Sequence, residues 1–319
     1  MLKKILYYSY FKNKIYNLLD YANINIKRYD HTPVTVDFKP DNPLPYYLNQ
    51  SHRVNYSGPF DSKAVPLYNY KGKFIHFPVF ICIYALGHSD LYSMSKQEKN
   101  LDVFKNMIDW LITNQNENGV WLTNSTVKKF GLFKPWPSAM TQGMAISCLT
   151  KAYLYFRDEK YIDTAMKALL SFRLTADNGG VASYEGDCVF YDEYPSTKTN
   201  HVLNGFIFAL WGLRDLINFD SSGKAKSLYD DGMQTLIKWL PKYDINYWSL
   251  YHISNKGFKN PASLPYHRLH VQQLKAMYKI TGHETFNNYS IMWDNYLKSS
   301  FNAIRTLPKK VLWNIIYGL

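Results

Sequence analysis

The chain has 319 residues, enough for one large domain or two ordinary ones, with 46 % hydrophobic and 17 % aromatic residues. Tyrosine, at 28 copies, is the outlier; such an excess suits clefts that stack on sugar rings and is also what low-GC coding produces. A net charge of +12 favours an acidic partner, but does not choose between nucleic acid, anionic glycan and anionic membrane.

In chain order, residues 1–21 carry Ile5, Tyr8, Phe11, Ile15, Leu18 and Leu19 at helical spacing, interrupted by Lys4 and Lys12. No small-residue cleavage site follows, so the reading is a helix and not a signal peptide. Residues 22–72 are punctuated by Pro33, Pro40, Pro43, Pro45, Pro59 and Pro66, with β-like pieces such as Val34 to Phe38. So many prolines cannot build a core, and the stretch reads as an arm wrapped on the rest. The apolar run from Phe74 to Gly87 contains His76 and Pro78 and is too short to cross a bilayer.

From Phe77 the periodicity predicts helices near 77–87, 95–114, 138–157, 159–173, 200–219, 223–240, 265–281 and 283–299. These form four successive hairpins. Gln142-Gly143 and Asn204-Gly205 each open an apolar helix, and each helix is followed by a polar turn and a helix carrying Met166 or Met233. Repeated hairpins predict an α/α barrel (toroid) or a solenoid. The long, aromatic, polar connections at 116–137, 176–199 and 243–265 fall at alternate positions and favour the barrel, because there they would converge on one mouth. The expected organisation is an irregular, partly β arm over 1–73, the barrel over 74–300 and a basic, aromatic tail over 301–319, with no separate β-domain.

Three cysteines, Cys82, Cys148 and Cys188, are odd in number and far apart, which predicts reduced thiols in a cytoplasmic protein. The sequence contains no GxGxxG after a strand, no GxxxxGK[ST] and no GxSxG, so dinucleotide, P-loop and α/β-hydrolase chemistry are set aside. No nucleic-acid signature accompanies the positive charge. His267 and His270 form an HxxH pair without HExxH; one helix face donating hydrogen bonds is weighed ahead of zinc. Two carboxylates for glycan hydrolysis are not evident, because Asp192 and Glu193 are adjacent and point apart. Phenols are better placed. Tyr194, Tyr251 and Tyr266 lie in the long connections or at helix starts, beside Glu193, His252, and His267 with Arg268. Phenols converging with His and Arg suit proton abstraction from carbon beside a carboxylate, although a few of 28 tyrosines would reach loops by chance.

Three segments together resemble the C-terminal catalytic domain of D-glucuronyl C5-epimerases, which convert glucuronate to iduronate in heparosan-type chains. They are Tyr191 to Gly205 (with Asp-Glu-Tyr-Pro-Ser-Thr and Val-Leu-Asn-Gly), Ser138 to Tyr153 (opening Ser-Ala-Met-Thr-Gln-Gly) and Tyr266 to Leu274 (Tyr-His-Arg-Leu-His-Val-Gln-Gln-Leu). The similarity runs in order over roughly 64–299, including Val65-Pro66-Leu67, Pro78 and Tyr84 of the strap that leads into the domain. The resemblance implies an α/α barrel with its cleft at one mouth. It implies Tyr194, Tyr266, Tyr251 and Glu193 as catalytic residues, and Tyr84, Ser138, Met140, Gln142 and Asn204 as substrate-contacting ones. Two departures stand out. Ser254 occupies the position where the animal enzymes have an arginine three residues after the loop tyrosine, so Arg268 and His252 are the expected replacements in holding the substrate carboxylate, with His267 also expected at the substrate. The calcium-bearing β-rich domain inserted in the animal enzymes is also missing between His88 and Asn100, so calcium is not carried over.

The resulting expectation is an isomerase that inverts C5 of D-glucuronate in an anionic polysaccharide or its lipid-linked precursor, with neither metal nor redox cofactor. A uronate lyase and a non-catalytic glycan-binding barrel are the rivals. Partners would be the uronate polysaccharide or a glycolipid, with a homodimer allowed and nucleic acid excluded. The run from Arg305 to Leu319 is read first as packing on the barrel, and more sharply as a peripheral anchor on the inner, anionic face of the cell membrane.

Overall fold

The computed structural model describes residues 44–317. The expected helix over 1–21 and the β-like piece at Val34 to Phe38 lie outside the described residues.

Nine α-helices are present among the described residues: α1 (Pro78–Ser95), α2 (Glu98–Asn114), α3 (Ala139–Phe156), α4 (Lys160–Ala168), α5 (Leu203–Ile217), α6 (Lys224–Trp239), α7 (Leu264–Thr281), α8 (Glu284–Leu297) and α9 (Ser300–Tyr317). The first eight are the four predicted hairpins of an α/α barrel. Neighbour packing places α1, α3, α5 and α7 side by side in that order, with α2, α4, α6 and α8 each paired to the helix before it. Inner helices α3 and α5 are buried over most of their length, which is why they read as near-continuous apolar runs; the outer helices α2 and α6 bury one stripe. Their ends follow local chemistry. Proline stands in the first turn of α1 and α7, and α7 stops where Gly282 takes a left-handed φ of 66°.

The centre of the barrel is set by glycine. A methyl group on Gly143 of α3 would meet Ala209 Cα of α5 at 2.5 Å, so the two inner helices touch backbone to backbone. Around that contact pack Met144, Ile207, Phe208, Leu210 and Trp211.

Two of the boundaries that differ from the sequence reading bear on the site. α1 continues past Gly87 to Ser95, because His88, Ser89 and Asp90 are polar yet buried. Asp90 accepts the backbone N–H groups of Tyr46 (3.1 Å) and Gln50 (2.7 Å), tying the arm to the helix. Residues 200–202, expected as the first turn of a helix, are instead strand β5 (Asn200–Val202), which pairs antiparallel with β6 (Leu250–Ser254). β6 in turn pairs with β7 (Asn260–Pro261), where His252 faces Asn260. Two hairpins precede this sheet: β1 (Tyr68–Tyr70) with β2 (Lys73–Ile75), and β3 (Ala182–Glu185) with β4 (Cys188–Tyr191).

The arm is a strap. Tyr46, Tyr47 and Leu48 are buried, and Tyr47 stacks on Trp211 at 4.7 Å between ring centres. Further along, Arg53 lies within electrostatic reach of Tyr266 on α7, so the strap spans from the first inner helix to the last. The tail is not an appendage. α9 buries Ala303, Thr306 and Trp313 against the rest of the molecule and leaves Phe301, Ile304, Val311, Leu312, Ile315 and Ile316 exposed. The three cysteines are buried and free.

Candidate active site

The three long connections meet at one mouth. Phe130 from the first stacks on Tyr194 from the second at 4.4 Å; Asn255 from the third donates to Thr199 Oγ1 of the second (3.0 Å), and Lys256 Nζ donates to the carbonyl of Lys129 (3.0 Å).

The second connection is held by a polar clamp. Asp192 Oδ1 pairs with His201 Nδ1 at 2.9 Å, Ser183 Oγ donates to Asp192 Oδ2 at 2.5 Å, and the Asp192 carbonyl accepts the N–H of Ala139 at the start of α3 (3.0 Å). With Asp192 pinned, the next residue is aimed inward. The Glu193 side chain lies over the first turn of α5, where a methyl group on Gly205 would meet its Cβ and Oε2 at 2.5 Å. Only glycine leaves room there. Asn204 Nδ2 donates to Glu193 Oε2 at 3.3 Å, and the Asn204 carbonyl is held by Gln273 Nε2 of α7 at 3.0 Å. Burial pushes the Glu193 carboxyl up to about 7, opposed by hydrogen bonds from Tyr194 and Asn204 and by the charge of Lys129.

Tyr194 follows directly, and its hydroxyl is hydrogen-bonded to Glu193 and to Tyr251 of β6. Tyr251 meets Tyr266, in the first turn of α7, edge to face at 4.8 Å. Glu193, Tyr194, Tyr251 and Tyr266 therefore form one cluster supplied by two connections and a helix. Burial, then the Glu193 charge, holds the Tyr194 and Tyr251 phenols well above their ordinary range, so both carry their protons in this state. Tyr266 is the most open of the three, 38 % exposed.

Beside the tyrosines lies a set of residues that the sequence patterns did not mark. Trp313 of α9 packs at 5.4 Å from His252, whose other neighbours include Phe130 at 5.6 Å and Tyr251 at 5.7 Å. Lys310 of α9 donates to Asn260 Oδ1 at 2.6 Å. Lys129, Lys256 and Lys310 all approach the Trp313 ring, at 5.9, 5.3 and 5.6 Å. A cleft of about 770 Å³ runs outward from Phe130, Trp136 and Pro195, and is lined further out by Phe133, Asn178 and Lys198. Its wall touches the cluster through Tyr194, which lies 5.6 Å from Trp136. The only sequence signals for these groups were aromatic density in the first connection and the basic tail.

Several expected site residues lie elsewhere. His267 is fully buried, stacked on Trp248 at 3.8 Å, accepting from Ser249 (N–H 3.1 Å, Oγ 2.7 Å) and donating from Nε2 to the Trp293 carbonyl (3.1 Å). Its HxxH partner His270 reaches the same Ser249 Oγ at 2.9 Å, and burial depresses both imidazoles, His270 to about 3. The pair is a neutral core bridge. Among the described residues no group of three or more His, Cys, Asp or Glu side chains is placed to hold a metal ion.

Arg268 shares α7 with Tyr266 two residues on, so its Cβ starts about 200° around the axis, and its charge acts on His267. His252 is at the cluster but burial and three lysines lower its pKa to about 3, so it is neutral and supplies no charge. Gln142 is fully buried and clamps the Trp121 backbone (3.1 and 3.3 Å), and Tyr84 packs against His88 and Phe60 under the strap. Ser138 and Met140 sit at the start of α3 beside the pinned Asp192, with Met140 packed on the core.

The chain is an α/α barrel with a carboxyl and three phenols gathered at its looped mouth. Residues 115–295 match the family described as D-glucuronyl C5-epimerase C-terminus, and the chain belongs to that family. It is 34 % identical over 220 residues to a D-glucuronyl C5-epimerase of Caenorhabditis elegans, covering 63 % of this chain and 36 % of that protein. An uncharacterised protein of Methanocaldococcus jannaschii is 27 % identical over 223 residues, covering 67 % of this chain and 65 % of its own. The chain thus spans about a third of the worm protein and just under two thirds of the archaeal one. Among solved structures, cellobiose 2-epimerases from Bacillus thermoamylovorans B4167 (TM-score 0.57, 16 % identity, 77 % of this chain and 68 % of that one) and Spirochaeta thermophila DSM 6192 (TM-score 0.52, 11 % identity, 76 % and 65 %) share the fold.

Proposed function

We propose that the chain inverts C5 of D-glucuronate residues in an anionic polysaccharide or its lipid-linked precursor. The observation that carries this reading is the convergence of Glu193, Tyr194, Tyr251 and Tyr266 in one cluster. Family membership supports it.

The C5–H of a uronate is a weak acid, because the carbanion forms beside an existing negative charge. A base and an acid on opposite faces are needed, with donors or cations on the carboxylate. Of Glu193, Tyr194 and Tyr251, only Glu193, at about 7, exchanges its proton readily at neutral pH. In the proposed sequence Tyr194 takes H5 as its own phenol proton passes to the Glu193 carboxylate. Tyr266 then gives its proton to the opposite face of C5, and Tyr251 hydrogen-bonds the enolate oxygen. The turnover leaves one proton on Glu193 and one missing from Tyr266, and solvent resets both. Asn204 orients Glu193, and Ser138 and Met140 stand at the start of α3 beside Asp192.

Incubating a heparosan oligosaccharide with the protein in heavy water tests this by NMR. The expected result is deuterium at C5 and iduronate signals, with no new ultraviolet-absorbing double bond. Rising absorbance would assign the lyase instead, and binding without exchange would assign a glycan-binding barrel.

The proposal extends to location. Among the described residues no helix is long and apolar enough to cross a membrane. The outward apolar residues of α9, with Arg305 and Lys309 beside them, support peripheral contact with an anionic membrane surface. Wild type should sediment with anionic vesicles at low salt and Ile315→Glu/Ile316→Glu should not; equal sedimentation of the two removes the anchor. Sedimentation velocity in the same buffers distinguishes monomer from homodimer.

A further inference from the structure

The residues that match the family end at 295, and α9 begins at Ser300, yet α9 reaches back into the candidate site. We propose that Lys310 of α9, with Lys129 of the first connection, holds the carboxylate of the bound uronate against the tyrosine cluster, so that a helix beyond the family-matched residues completes the site. This rests on the uronate reading given above.

Four observations carry it. Lys310 is half-buried, its Nζ hydrogen-bonded to Asn260 Oδ1 at 2.6 Å and 5.5 Å from the centre of the Tyr251 ring. Lys129 Nζ lies 4.9 Å from the Phe130 ring, which itself stacks on Tyr194. The two ammonium groups therefore border the hydroxyl cluster, where a carboxylate attached to C5 must lie if C5 is to meet Tyr194. Second, among the described residues none of Lys129, Lys256 and Lys310 has an acidic side chain within ion-pair distance. Third, the three cations repel one another. Burial and the charge of Lys129 push the Lys310 ammonium down to about 7, and the three together keep His252 neutral. Like charges gathered at a cleft with no carboxylate in ion-pair contact fit an anionic ligand. Fourth, the other expected cation, Arg268, starts about 200° around the α7 axis from Tyr266.

A purely structural Lys310 would serve to pin α9 through Asn260. The two roles predict opposite results. The test is calorimetric binding of a heparosan hexasaccharide and of its carboxyl-reduced, neutral counterpart to the full chain and to Lys310→Met, Lys129→Met and Lys310→Arg, alongside thermal melts and C5 exchange kinetics. Wild type should prefer the native hexasaccharide. Lys310→Met should weaken that binding by about tenfold or more while leaving the neutral one within about twofold, with Lys129→Met in the same direction and Lys310→Arg restoring most of it. Removing the charge should not lower the melting temperature of Lys310→Met, and kcat should fall further than KM rises. The proposal is overturned if wild type fails to distinguish the two oligosaccharides, if Lys310→Met and Lys129→Met bind both as wild type does, or if Lys310→Met loses both equally with a lower melting temperature. Carboxylate-dependent binding without any C5 exchange would leave the anchor standing and remove the epimerase reading.

Discussion

Glu193 and Lys310 are pushed toward neutrality from opposite sides by the same cause, withdrawal from water. The consequences for stability have opposite signs. The folded-state pKa of Glu193 is raised from an ordinary 4.5 to about 7, so stability is full at low pH and is lost as pH rises through that window. Glu193→Gln should therefore melt higher than wild type above pH 7, by on the order of 3 kcal/mol at most, with the difference vanishing below about pH 4.5. Lys310 is depressed from 10.5 to about 7, so its cost is greatest at and below pH 7 and fades as pH rises toward 10.5. Thermal melts across pH check both; a Glu193→Gln variant that is less stable at pH 8 would refute the burial argument. The phenols make a separate prediction. Tyr194→Phe and Tyr266→Phe should each lower C5 exchange by about a hundredfold or more, the usual scale for a lost general acid or base, with oligosaccharide affinity little changed. Near-full exchange in both variants would remove the two-tyrosine assignment.

Elements meet at this site through glycine. Gly205 lets Glu193 lie on the first turn of α5, and Gly143 lets α3 and α5 touch. Alanine is the better helix former, so Gly205→Ala should keep α5 intact. Its methyl group would nevertheless displace the Glu193 carboxyl from Asn204 and Tyr194. C5 exchange should then fall about as far as in Glu193→Gln, while far-ultraviolet circular dichroism stays as in wild type. Retained exchange would mean that Glu193 needs no fixed position.

Across the whole molecule the strap joins the ends of the ring. Tyr47 donates to buried Asp215 at 2.5 Å while stacking on Trp211 inside the barrel. Tyr47→Phe preserves the stack and strips that donor from a carboxylate already raised by burial. A loss of about 1–3 kcal/mol is expected, the cost of an unsatisfied buried acceptor, read as a lower melting temperature without altered KM for the oligosaccharide. An unchanged melt would mean that the strap is held by apolar packing alone.

The sequence by itself determined the hairpin barrel, the three functional connections and the Glu-Tyr-Pro and Leu-Asn-Gly elements. Those signals are local: helical periodicity, proline and glycine punctuation, and short contiguous motifs survive in one dimension. Tertiary structure decided the rest. Neither periodicity nor motif shows that Asp192 is clamped by His201, that Glu193 rests on Gly205, or that His267 bridges a core through Ser249. Nor could they reveal that Lys310 arrives at the tyrosines, because contact between distant segments is set only when the whole core packs. The tail is the clearest case. Its lysines and tryptophan read first as packing on the outside of the barrel, and only burial of Trp313 beside His252 turns one face of that helix toward the tyrosines.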